Sequence, residues 1–282
     1  MAPLGLLIMP IVSASIASTA CCYVGVYVVL RRIVFVSAAL AQLGAAGVGL
    51  GLMLNINPVV TCYAFILLGM LFVPLIQRER RVSRESVLGA MYAIAASLAM
   101  IFVAKSPAEE HLMESTLFGE LLYATKDVAL RLGIVTIITL AIHLVLFKPL
   151  LLSSFDPEFA TTLGIRTQLF DSVFYIALAI LIGECIRAVG ALLTFSYLVL
   201  PPVTALLLTD RLKIAFVISI SCGLVANIAG VIISFHYDLP SSPTVAACTL
   251  LPLVAIAPLA ICLRLSKARH HIKSIQQPKK QT

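Results

Sequence analysis

Nine apolar stretches run through the chain, at residues 5–30, 33–54, 58–76, 86–104, 132–152, 172–186, 189–209, 212–235 and 244–263. Most approach the roughly 20 residues that an α-helix needs to cross the hydrocarbon core of a bilayer. Polar punctuation separates them. Arg31-Arg32 closes the first, Asn55-Ile56-Asn57-Pro58 the second and Gln77-Arg78-Glu79-Arg80-Arg81 the third. Proline and asparagine belong at helix boundaries, and arginine is costly in lipid. Fused, the sixth and seventh stretches would give one helix of about 38 residues, too long for a single crossing. A turn or break is therefore expected between Arg187 and Gly190. Residues 5–30 read as the first span rather than a cleaved leader, because no basic segment precedes them and the apolar run is long.

Composition agrees with this layout. Of 282 residues, 61% are hydrophobic and 12% charged, against about a quarter charged in a soluble globular protein. Mean hydropathy is +1.07. This leaves room for about nine transmembrane helices and no sizeable soluble domain. The expected fold is all-α, a polytopic helical membrane protein with one transmembrane domain over residues 1–265 and a basic cytoplasmic tail over 266–282.

Charge gives the chain a direction. With the N-terminus outside and nine crossings, 16 of the 20 basic residues face the cytoplasm and only Lys105, Lys126, Arg131 and Arg187 lie outside. The 13 acidic residues divide almost evenly. A Lys/Arg bias with indifferent acids is the positive-inside pattern, so the net charge of +7 reports topology. The basic residues are spread over short loops and a tail, which argues against nucleic-acid binding. The predicted location is the cell inner membrane, with the N-terminus outside and the C-terminus cytoplasmic.

Two connections exceed a turn. In residues 105–131, Leu117, Phe118, Leu121 and Leu122 fall at helical spacing and predict a short amphipathic surface helix. On the cytoplasmic side, Asp156-Pro157-Glu158 has the form of a helix start: a capping Asp, Pro at the first position and an acid in the first turn. Gly164 should end that helix after about two turns. Two readings stay open, a docking handle for a soluble partner or an ordinary interfacial connector.

Within the spans, Gly44, Gly47 and Gly51, and again Gly223, Ala226 and Gly230, are spaced for close helix contact. Pro201-Pro202 interrupts the seventh stretch and is expected to break it, a feature tolerated where the freed backbone groups meet protein or a water-filled path. Gly190, Ser196, Pro201 and Pro202 are thus candidates for lining a pathway. Intramembrane polar groups are functional candidates by default: Gln42, His143, Glu184, Asn227 and the boundary residue His236. Glu184 and Arg187 can neutralise each other on one helix. His143 reads as hydrogen-bonded inside the bundle or as a metal ligand, and His236-Tyr237-Asp238 as a cation relay or a helix cap. The seven cysteines sit singly or adjacent in apolar runs without zinc spacing, as small buried hydrophobes. No P-loop, H-E-x-x-H or G-x-S-x-G motif occurs, so ATP chemistry and intramembrane hydrolysis have no visible machinery.

Four segments together resemble the permease subunits of the ABC-3 family, metal-ion importers for zinc, manganese or iron. They are Gly25 to Arg32, Phe155-Asp156-Pro157-Glu158-Phe159-Ala160 with Leu163-Gly164-Ile165, Val189 to Leu193 with Leu200-Pro201-Pro202-Val203-Thr204-Ala205, and Ser234 to Ser241. The resemblance implies the helical bundle of type II ABC importers. It implies a second permease chain, the same or different, to complete the pathway, and an extracytoplasmic metal-binding protein that delivers to loops such as His236–Ser241. It further implies a cytoplasmic ABC ATPase docked on Asp156, Pro157, Glu158, Phe159, Leu163 and Gly164. This chain would not be an enzyme and would bind no cofactor, with ATP used by the partner subunit. Where the family usually carries Gly-Asp-Ala-Leu-Ser-His, this chain has Ser37-Ala38-Ala39-Leu40-Ala41-Gln42. Ala38 and Gln42 thus hold the positions of the family's candidate ion ligands, and His236 and Asp238 are further pathway candidates. Loss of a carboxylate and an imidazole leaves the metal's identity open. It also admits two alternatives, a permease for a chelated metal or cobalamin-like ligand and a non-transporting membrane partner of the ATPase.

Overall fold

A computed structural model describes residues 5–78, 83–106, 126–256 and 258. Every regular element among them is an α-helix. In chain order these are α1 (Gly5–Leu30), α2 (Val34–Leu54), α3 (Pro58–Arg78), α4 (Arg84–Ala104), α5 (Lys126–Val145), α6 (Phe147–Phe155), α7 (Pro157–Thr162), α8 (Thr167–Val189), α9 (Ala191–Leu208) and α10 (Leu212–Tyr237). The shorter apolar helix Ser241–Ile256 follows as α11. Seven of them (α1, α2, α4, α5, α8, α9 and α10) are long and apolar enough to cross a membrane, and α3 contributes the shorter apolar helix Pro58–Phe72. These nine correspond to the nine apolar stretches. The amphipathic helix expected near residues 117–122 and the basic tail lie outside the described residues.

The bundle is built on its first two helices. Of their apolar spans, 72% of α1 and 67% of α2 are buried, against 22% of α4 and 28% of α5. α1 packs on α9, α10 and α5, while α2 lies between α3 and α4 and touches α8 and α9. Small residues make this possible. A Cβ at Gly47 would overlap the backbone of Thr61 and Cys62, and one at Gly230 the backbone of Val245. Helices brought this close gain dispersion contacts along their length, which matters where lipid removes the hydrophobic drive between spans. The outer helices turn their large side chains outward, among them Leu71 and Phe72 on α3, Ile94 and Ile101 on α4, and Leu130 and Ile137 on α5. That is the lipid-facing side expected of a bundle in a bilayer. The cysteines behave as packing residues: Cys21, Cys22, Cys62, Cys185 and Cys248 are buried and unbridged.

Two boundaries differ from those read in the sequence. The sixth stretch, expected over 172–186, is the longer helix α8. Its extra turns begin at the polar residues Thr167 and Gln168, which lie beyond the apolar window that defines a span. The fifth stretch divides at Leu146 into α5 and α6.

Candidate functional site

α7 is a short helix closed at both ends. The Phe159 N–H donates to Asp156 Oδ1 at 2.9 Å, and Pro157 occupies the first turn, where no donor is needed. At the other end Gly164 takes φ +77°. Its N–H reaches the Thr161 carbonyl at 3.0 Å, and the Ile165 N–H reaches that of Ala160 at 3.1 Å, so the last carbonyls are satisfied. Ala160 is buried beneath the helix, while Phe155 (58%), Phe159 (51%), Leu163 (58%) and Leu169 (57%) stand exposed around it. Asp156 and Glu158 are exposed beside them. A groove of about 480 Å³, lined by Thr161, Ile165, Arg166, Thr167, Gln168, Leu169 and Ser172, opens next to the helix. Capped, apolar and rimmed by charge, this surface suits either of the two readings, a docking handle or an interfacial connector.

Behind α7, Arg31 joins three helices. Its Nη1 donates to Asp171 Oδ1 at 2.6 Å, Nε to Ser154 Oγ at 2.8 Å and Nη2 to the Leu150 carbonyl at 3.3 Å. Its guanidinium carbon lies 4.3 Å from the centre of the Phe174 ring. Ser153 Oγ donates to the same Asp171 oxygen at 2.8 Å. The sequence marked Arg31 only as half of a basic pair ending a span; nothing local told it from Arg32, which is exposed.

Ala38 is buried and Gln42 half-buried on α2. Further along the same face, Gly49 abuts Ala99, Phe102 and Val103 of α4. The expected break at Pro201-Pro202 is corrected: α9 continues through both prolines. The interruption expected between Arg187 and Gly190 is present at Gly190, whose φ of 84° and ψ of 163° belong to a region open essentially to glycine. Both prolines are buried, and the cost of their missing donors is absorbed by packing. Pro202 cannot bond the Leu198 carbonyl, and Gly25 of α1 comes so close there that a Cβ would overlap Leu198 O and Pro202 Cγ. Ser196 Oγ donates back to the Leu192 carbonyl at 2.9 Å and Thr204 Oγ1 to that of Leu200 at 2.8 Å.

At the opposite end of the bundle, Arg187 Nη1 lies 3.2 Å from Glu184 Oε1, the pair expected from their spacing. Tyr63 of α3 donates its hydroxyl to the same oxygen at 2.8 Å, a partner the sequence did not indicate because it is 121 residues away. His236 and Asp238 are exposed. Asp238 caps α10 with φ 52°, and its N–H reaches the Ser234 carbonyl. His143 is fully buried, with Nδ1 2.8 Å from the Thr139 carbonyl, as expected of a bundle histidine. Asn227 donates to Ser15 Oγ at 3.0 Å and accepts from the Tyr197 hydroxyl at 3.3 Å, tying α10 to α1 and α9. Among the described residues no three His, Cys, Asp or Glu side chains converge as a metal site.

The chain is a bundle of apolar helices around two buried central ones, with a capped helix displayed at one end. Residues 5–259 match the ABC 3 transport family, and the chain belongs to that family. It is 26% identical over 234 residues to the manganese transport system membrane protein MntC of Halalkalibacterium halodurans, covering 83% of this chain and 80% of that one. It is 28% identical over 230 residues to the high-affinity zinc uptake system membrane protein ZnuB of Buchnera aphidicola, covering 80% of this chain and 86% of that one. Among solved structures, PsaBC from Streptococcus pneumoniae in complex with Fab superposes with a TM-score of 0.80 at 20% identity, over 90% of this chain and 92% of that one. The bundle therefore has an ABC permease fold.

Proposed function

We propose that the chain is the membrane-spanning permease subunit of an ABC importer for a divalent metal ion, manganese or zinc. Family membership along almost the whole chain, with relatives named for transport of these two metals, carries the reading. A cytoplasmic ABC ATPase docks on α7 and its exposed apolar surround. A second permease chain completes the pathway, and an extracytoplasmic binding protein delivers the ion to the loop at His236–Ser241. The pathway runs beside α2 and α9, past Gln42, Gly190, Ser196 and Pro201-Pro202. Because Ala38 and Gln42 supply neither carboxylate nor imidazole, a second permease bearing those ligands is the favoured partner.

One experiment tests both substrate and docking. In a strain lacking the chain, cellular manganese or zinc should fall under metal limitation and recover with the wild-type gene. A Glu158→Lys/Gly164→Leu copy should insert into the membrane yet fail to bind ATPase or restore the metal. Unchanged metal content in the deletion strain would sink the substrate reading. Full recovery with the double variant would sink the docking reading.

A further inference from the structure

The fork at Arg31 has a position as well as a strength. Its side chain is only 7% exposed, and Nε, Nη1 and Nη2 all donate. Leu150 and Ser154 belong to α6, the arm that enters α7. Asp171 and Phe174 belong to α8, the arm that leaves it. One guanidinium thus grips both sides of the displayed helix, and Ser153 closes the two arms on each other through Asp171. Arg31 itself stands one residue beyond α1. Two turns up that helix, Gly25 meets Leu198 and Pro202 of α9. A path of contacts therefore leads from α7, through Arg31, to the proline-bearing helix, beside the direct packing of α8 on α1 and α9. A planar fork is suited to this: it holds several acceptors in fixed directions and stacks on an aromatic ring, neither of which an ammonium does as well.

We propose that Arg31, held by Asp171 and Ser154, is the positioning residue that transmits displacement of α7 into α1 and α9, and so couples ATP hydrolysis to opening of the pathway. This rests on α7 being the ATPase contact. A contiguous network of packed and hydrogen-bonded groups between two sites is one that can carry such coupling, and Arg31 is its most concentrated polar node.

The test uses the complete transporter, with its ATPase and loaded binding protein, reconstituted in vesicles with manganese or zinc. Asp171→Asn, Arg31→Gln and Arg31→Lys are compared with Lys148→Gln, an exposed cation on the same cytoplasmic side. The readouts are ATPase retained in the purified complex and ions moved per ATP hydrolysed. Asp171→Asn and Arg31→Gln should retain ATPase but lower the ion-to-ATP ratio about tenfold, within the usual range of coupling between sites. Arg31→Lys should fall between them and wild type, and Lys148→Gln should match wild type. A wild-type ratio in Asp171→Asn overturns the proposal. So does loss of ATPase from the Arg31→Gln complex, since Arg31 would then only shape the docking loop. Should Arg31→Gln fail to fold, Asp171→Asn decides, because that carboxylate is 38% exposed. If the Glu158→Lys/Gly164→Leu transporter keeps its ATPase and its uptake, the docking reading falls first, whatever the Arg31 variants do.

Discussion

Gly190 is a constrained backbone position between two spans. It alone separates α8 from α9, and its φ and ψ place a side chain in a region that costs about 1–3 kcal/mol to occupy. Its carbonyl also accepts twice, from the Thr194 N–H at 3.1 Å and the Thr194 hydroxyl at 2.7 Å, so the turn cannot relax without losing the start of α9. Gly190→Ala should therefore lower the thermal unfolding midpoint of the purified chain in detergent. Gly89→Ala is the matched control: nothing lies within 4 Å of its added Cβ. Alanine there should gain up to about 1 kcal/mol of helix propensity. Equal midpoints for the two variants would show that the Gly190 conformation is not required.

The helices were legible in the sequence where hydropathy alone decides them. Arg31-Arg32 and Asn55 to Pro58 mark span ends because arginine is costly in lipid and Asn55 followed by Pro58 suits a helix end and a new helix start, and the structure ends α1 and α2 there. Asp156-Pro157-Glu158 and Gly164 were legible because capping is local chemistry. Pro201-Pro202 misled because local chemistry is only half of the account. Two prolines should break a helix, but Gly25 lets α1 pack against the Leu198 carbonyl that Pro202 leaves without its donor, and α9 runs on; the break expected between Arg187 and Gly190 is the one that forms. The clamp at Arg31 was illegible for a related reason: Asp171 lies 140 residues away, and adjacent arginines carry the same local signal. The α2 face is an intermediate case. Ala38 and Gln42 share one side of the helix by their spacing, and the structure leaves Gln42 half-buried beside the fully packed glycine face. Ala38→Asp with Gln42→His would place an oxygen and a nitrogen ligand on that side. Outer-shell partners alone are worth 10–100-fold in metal affinity, so two direct ligands should raise manganese or zinc binding by at least about tenfold. A folded double variant with no gain would place the path elsewhere.

The contacts across the bundle bear on how it sits in the membrane. Arg31, Leu150, Ser154 and Asp171 meet at one end, and Tyr63, Glu184 and Arg187 at the other. That alternation is what successive crossings of one bundle produce. The 16-to-4 division of basic residues predicts that the Arg31 end is cytoplasmic. In a background with the native cysteines replaced, Ile275→Cys should resist an impermeant thiol reagent in intact cells and Ala108→Cys should react. The opposite pattern would invert the loop assignment and put α7 on the wrong side for an ATPase.

The burial of α1 has a consequence for biogenesis. This helix precedes the other described helices in the chain, yet some of the groups that hold it arrive late. Ser219 donates to the Cys22 carbonyl at 2.9 Å and Asn227 to Ser15, and both belong to α10, about 200 residues downstream. Until α10 is synthesised, the serine-bearing face of α1 faces lipid or the insertion machinery. Its closing contacts are among the most non-local in the bundle, the kind that form late. Chains that stall or are clipped before α10 can still pack α1 on α5 and α9, but they leave the Ser15 and Cys22 groups of this central helix without their α10 partners, and quality control by membrane proteases has its natural target there.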